Sequence, residues 1–164
     1  MELMPARESR AWTLLLLGTA SLVGVPLLMW RAQADGDVGE VVEIFLLMMA
    51  AGLLIVAGFS VWRTRGSLRR AQPAPEDAKV LAGSAGWRLL FVAMGVAGGL
   101  APFGRDGPNE GDATFAAFGL GLVFGALVGV AVGLWYLRRR EGADDTELLR
   151  LHRGKEQRVK YFVR

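Results

Sequence analysis

The chain has 164 residues, 52% of them hydrophobic and 21% charged, with 22 glycines, one histidine and no cysteine. The lack of cysteine excludes a disulfide scaffold, thiolate metal sites and thiol chemistry, and the single histidine, His152, leaves almost nothing for haem or imidazole–metal ligation. A formal net charge of +3 and a mean hydropathy of +0.33 do not set the class; the grouping of apolar residues into four blocks of spanning length does, and it is that of an all-α polytopic membrane protein.

The first block, 11–30, is uncharged. Arg7 and Arg10 precede it and Ala32-Gln33-Ala34 follows, the order of parts in a secretory signal peptide. The run is longer than the roughly 7–15 apolar residues of such a peptide, and Trp30 and Arg31 crowd the cleavage position, so the block reads as a retained span. Pro26 is expected to kink it near its outer end, with Thr19 and Ser21 bonding the backbone groups that the proline frees.

The second block, 41–62, holds one charge, Glu43, near its start. Glu40 lies one turn earlier, and both belong at the outer headgroup level, at the positive end of that helix. The sharper alternative groups Asp35, Asp37, Glu40 and Glu43 as an ion or partner contact, since clustered carboxylates hold hard cations, though the spacing matches no calcium loop.

The segment 63–86 is a basic loop in which Pro73 and Pro75 disfavour helix. The third block, 87–103, is the shortest, and the uncharged stretch 80–86 extends it backward. Arg88 at its edge can snorkel to the surface. Met48, Met49 and Met94 read as packing, because no His or Cys stands near them to make a copper site.

The fourth block, 113–137, is uncharged and contains the strongest motif. Gly121, Gly125, Gly129 and Gly133 recur every four residues, and Ala117 and Ala113 extend the series along one side of a helix. A ridge without side chains lets another backbone come close, which in lipid is a main source of helix association. Gly95 and Gly99 offer a matching pair, so the third span is the expected partner within the chain. A subunit contact and a pore-lining face are the other uses of such a ridge.

The tail, 138–164, is basic, with Arg138, Arg139, Arg140, Lys155, Arg158 and Lys160 suited to lipid or partner docking. Asp144 or Asp145 can cap a short amphipathic helix that Glu147 supports, Leu148, Leu149 and Leu151 give one apolar side, and Gly154 ends it. Beyond it, Val159, Tyr161, Phe162 and Val163 alternate with basic residues, as in a segment lying on an anionic leaflet.

Of the 19 Lys and Arg, all but Arg31 and Arg105 lie before the first block, between the second and third, just inside the third at Arg88, or after the fourth. The positive-inside rule then puts both termini and the loop 63–86 in the cytoplasm of a bacterial inner-membrane protein. All five tryptophans (Trp12, Trp30, Trp62, Trp87 and Trp135) sit at or near block ends, as an interfacial belt requires. The domains are thus a four-span region, 1–137, and the tail. The four spans form two helical hairpins of the same orientation, a faint parallel repeat that reads as topology. A barrel is excluded, because the blocks lack two-residue alternation.

The segment that runs from Arg69-Arg70 through Pro75-Glu76-Asp77 to Gly83-Ser84-Ala85-Gly86 resembles the inner loop of the four-span small subunit of actinobacterial haem–copper cytochrome oxidase. The resemblance stops there: the aromatic, Pro-rich stretch of that family is missing before the third span, and the long basic tail is extra. It illustrates a class, the accessory subunit, without assigning the chain to the family.

No GxGxxG loop, HExxH or CxxC motif occurs, and the lone histidine leaves no Ser–His–Asp set. The expectation is a non-enzymatic chain without cofactor or metal, whose partners are membrane lipids and other integral membrane subunits and not nucleic acid. It would stabilise or regulate a larger complex. The alternative is a homo-oligomeric channel or small transporter with the fourth span at the subunit contact.

Overall fold

The computed structural model describes residues 2–35, 38–75, 79–80, 85–101, 112–144, 146–151 and 161–163. In chain order the elements are β1 (Glu2–Pro5), α1 (Ala6–Asp35), α2 (Val38–Arg70), β2 (Gln72–Pro73), β3 (Lys79–Val80), α3 (Ala85–Leu100), α4 (Asp112–Asp144), β4 (Leu148–Leu151) and β5 (Tyr161–Val163).

Helices α1, α2 and α4 are each long and apolar enough to cross a membrane, and α3 is a shorter apolar helix. Lipid offers no partner to N–H and C=O groups, so each apolar block satisfies them internally as a helix. The 33 residues of α2 and of α4 give about 50 Å of helix at 1.5 Å per residue, more than a hydrocarbon core of about 30 Å. The surplus is polar. Residues 63–70, which composition alone assigns to a loop, extend α2 through Arg70, since propagating a formed helix through arginines costs little.

Helix α1 runs unbroken through Pro26. The expected role of Thr19 and Ser21 at that proline is not what the structure contains. The Thr19 hydroxyl donates to the carbonyls of Leu15 and Leu16, at 2.9 and 3.0 Å, the local back-bonding that helical threonine favours. Ser21 Oγ is buried with no hydrogen-bond partner among the described residues.

Sequence neighbours are not the main packing neighbours. Helix α3 lies along α1, α1 along α4, and α4 along α2, whereas α1 and α2 touch only slightly. The two expected hairpins are therefore replaced by two pairs, α1 with α3 and α2 with α4, set in a row. Within each pair the helices run parallel: Gly95 meets Leu16 and Thr19 while Gly99 meets Ala20 and Gly24. Between the pairs α1 and α4 are antiparallel, with Gly18 near Leu127 and Gly24 near Leu120.

At one end of the row the strands form a single sheet of order β2-β5-β4-β1-β3. Strand β1 pairs in parallel with β3, Glu2 opposite Lys79 and Leu3 opposite Val80. Strand β2 pairs in parallel with β5, Gln72 opposite Phe162 and Pro73 opposite Val163. Strand β4 stands between β1 and β5, antiparallel to both. Each half of the chain thus reads strand–helix–helix–strand, and like elements of the two halves pair side by side in parallel. The repeat that the sequence hints at is expressed in these pairings, with β4 inserted.

The short tail helix is a correction. Helix α4 continues to Asp144, and the leucines expected on a second helix form β4 instead. Leu148 and Leu149 are buried (1% and 0% exposed), and the first packs with Ala6, Leu137, Leu68 and Ala71. Removing a leucine from water is worth about 1.5–3 kcal/mol, and a two-turn helix is too short to offset its own nucleation. The all-α class therefore holds for the bundle and not for its sheet end. Asp145, His152 and Gly154 lie outside the described residues. At the opposite end a second cluster gathers Leu28, Ala32, Val41, Phe45, Ala116, Ala117 and Leu120 where α1, α2 and α4 meet.

Candidate functional site

The four ridge glycines of α4, Gly121, Gly125, Gly129 and Gly133, face α2, whereas Gly119 and Gly142 meet nothing within 4 Å. A Cβ built on Gly121 would stand 2.6 Å from the Phe45 carbonyl oxygen, and one on Gly125 would run into the Met49 carbonyl and come within 2.8 Å of the Leu53 nitrogen. At Gly129 the obstacle is the Ala57 nitrogen at 2.8 Å, and at Gly133 the Ser60 Cβ at 2.6 Å. From the other side Gly52 meets the Leu122 carbonyl oxygen at 2.7 Å. Most of these obstacles are backbone, so no rotamer change could relieve them. Ala117, which extends the series, is fully buried.

Gly95 and Gly99 do not meet this ridge. Both lie on α1: a Cβ on Gly95 would strike the Thr19 hydroxyl and the Leu16 carbonyl oxygen, the latter at 2.6 Å, and one on Gly99 the Ala20 carbonyl oxygen at 2.6 Å. The expected pairing of the third and fourth spans is thus corrected. Four-residue spacing gives the face that approaches closely, and it does not name the helix approached. Trp12 and Phe91, with ring centroids 5.8 Å apart, continue the α1/α3 seam toward the sheet end.

Arg10, which the sequence presents only as one of the topology-setting charges, knits the two pairs together. Its guanidinium donates to the Gly133 carbonyl on α4 and to the Thr64 hydroxyl on α2. Thr64 is fully buried and passes its own proton to the Ser60 carbonyl at 2.7 Å. A cation with several donors suits this junction, because it satisfies a helix carbonyl and a hydroxyl away from water. Nothing in the sequence signals it, since it depends on α1, α2 and α4 being adjacent. Nearby, the Leu148 N–H donates to the Glu141 carboxylate at 2.9 Å and ties the sheet to α4. Burial pushes the Glu141 carboxyl up, against the opposing pull of that N–H and of Arg7. Arg7 and Glu147 form an ion pair at 2.9 Å.

The four acids of the possible ion or partner contact are described only in part. Glu40 and Glu43 are both exposed on the first turns of α2, Asp35 ends α1, and Asp37 lies outside the described residues. Among the described residues no three His, Cys, Asp or Glu side chains lie close enough to hold a metal ion. Arg138, Arg139 and Arg140 are exposed at the sheet end of α4. The Arg139 guanidinium stands 5.5 Å from the centre of the Trp135 ring and that of Arg140 5.7 Å from Tyr136. Lys155, Arg158 and Lys160 lie outside the described residues.

Chemically the arrangement packs helices and positions charge. The hydroxyls of Ser9, Thr13, Thr64 and Ser67 bond back to carbonyls of their own helices, so they do not converge on a common point. No protein-family model, curated protein or solved structure matches the chain.

Proposed function

We propose that the chain is a non-catalytic integral membrane subunit that packs with, stabilises or regulates a larger complex in the bacterial cytoplasmic membrane. In this reading α3 is the fourth span, and the sheet and both termini are cytoplasmic. The observation that supports it is the row of helices. A row has two flanks, and here α3 and α2 each pack along one helix and leave an apolar flank uncovered. Leu89 on α3 is 71% exposed and Leu54 on α2 is 74% exposed. Such flanks suit neighbouring helices of other subunits, where van der Waals packing and not reactive groups gives specificity. The α4 ridge is taken up by α2 of the same chain, which argues against the homo-oligomeric channel built on that ridge.

The test is native electrophoresis after mild solubilisation, followed by chemical cross-linking from cysteines placed at Leu54 and Leu89. The expected result is a species much larger than the monomer, with cross-links to one set of partner chains. A stable lone monomer, or cross-links to lipid alone, overturns the reading. Ion flux through liposomes holding the purified chain would revive the channel.

A further inference from the structure

We propose that the sheet end of the α2/α4 pair is a binding site for the headgroup phosphate of an anionic phospholipid in the adjoining leaflet. The proposal requires a membrane-embedded chain and is independent of any larger complex.

Two exposed tryptophans mark the depth. Helices α2 and α4 run parallel with Gly133 against Ser60. Residues two and five positions further therefore stay level: Trp62 with Trp135, and Arg65 with Arg138. The two tryptophans are 71% and 59% exposed, as side chains at the headgroup boundary are. Arg63 follows Trp62 directly, and Arg65, Arg138 and Arg139 follow their tryptophans by three or four residues; all four are exposed, and the last three stand about 5 Å beyond the tryptophans at helical rise, at the level of the phosphates.

Among the described residues none of these four arginines forms a salt bridge; the one present is Arg7 with Glu147. The nearest acid of α4, Glu141, already accepts the Leu148 N–H and is drawn inward. Parallel helices in glycine contact bring these arginine-bearing turns to one level, so like charge gathers around this end of the pair. An anion at that level offsets it. The geometry favours phosphate over a point counter-ion. A guanidinium presents a planar fork that bonds two phosphate oxygens at once. Arg139 already has one face against the Trp135 ring, which holds the fork edge-on to a neighbouring headgroup. A lipid supplies the apolar tails that Trp62, Trp135 and the exposed Phe59 would contact, and free phosphate does not.

The test uses the full chain in nanodiscs of phosphatidylcholine with or without phosphatidylglycerol, with retained lipid counted by native mass spectrometry. The expected result is preferential retention of phosphatidylglycerol, lost on raising salt and not competed by inorganic phosphate. The triple variant Arg65→Gln, Arg138→Gln, Arg139→Gln should lose at least about tenfold of that preference. Arg88→Gln, an exposed arginine on α3, should leave it unchanged. If the glutamine triple does not insert, the same three positions changed to lysine keep the charge and should still weaken retention severalfold through loss of the fork. Equal retention of the two lipids by the wild type, a triple variant indistinguishable from it, or an equal loss with Arg88→Gln would each overturn the site.

Discussion

The two parallel helix pairs are built on the same device at different lengths. Along α2/α4 the close approach is kept at Gly121, Gly125, Gly129 and Gly133, with Gly52 answering from the other side. Along α1/α3 it is kept at Gly95 and Gly99, after which α3 ends at Leu100. At helical rise the long seam covers about 18 Å and the short one about 6 Å, the latter supplemented by the Trp12–Phe91 ring contact. Dispersion between helices adds up contact by contact, so the longer seam is the stable half of the molecule and α3 is the element most readily lost.

The strongest way to break this contrast is Gly125→Leu. It places a side chain into the backbone of Met49 and Leu53, and the overpacking cost should reach the upper end of about 1–3 kcal/mol, read as a lowered thermal midpoint in detergent. The same change at Gly95 should release α3 alone. Hydrogen exchange should then rise along 85–100 and stay low along α4; an equal rise in both would refute the independence of the seams.

Arg10→Leu attacks the junction between the pairs. It removes two charge-assisted hydrogen bonds and leaves the buried Thr64 without its donor, at an expected cost of about 2 kcal/mol. Cysteine cross-linking between α1 and α4 near the sheet end should weaken while both seams persist.

A finer comparison lies within α2. Gly52 faces the Leu122 carbonyl, whereas a Cβ on Gly58 meets nothing within 4 Å. Gly52→Ala should therefore destabilise, and Gly58→Ala should stabilise by up to about 1 kcal/mol through helix propensity. Matching effects at the two positions would mean that the seam is not where the geometry has it.

The smallest effect concerns the sheet that joins the halves. Glu141 is raised by burial, so the folded state holds its proton more tightly than the unfolded chain does. Its contribution favours folding when protonated, and is lost as pH rises from the ordinary carboxylate range through the raised value. Exchange of the Leu148 amide, corrected for intrinsic rate, should be slower at pH 5 than at pH 7.5. Glu141→Gln keeps the acceptor and should flatten that dependence.

Much of the bundle was legible because its cause is local. The uncharged runs of 11–30 and 113–137 must be helical in lipid whatever surrounds them, and Gly121 through Gly133 must share a face whatever lies opposite. The tail was not legible. Leu148, Leu149 and Leu151 fit a capped amphipathic turn as well as a strand, and the strand wins through distant partners: β1 from the first residues and β5 from the last. Arg10 shows the same limit, for a charge before an apolar run reads as a topology signal until two other helices arrive beside it.

What this sequence determined alone is its solvent and its faces: apolar runs that lipid obliges to be helical, and glycine ridges that allow backbones to touch. What only the tertiary structure decided is who touches whom. The pairing of α1 with α3 and α2 with α4, the sheet drawn from three separate segments, and the Arg10 junction all rest on contacts between residues far apart in the chain. Spacing along one helix has no term for such contacts.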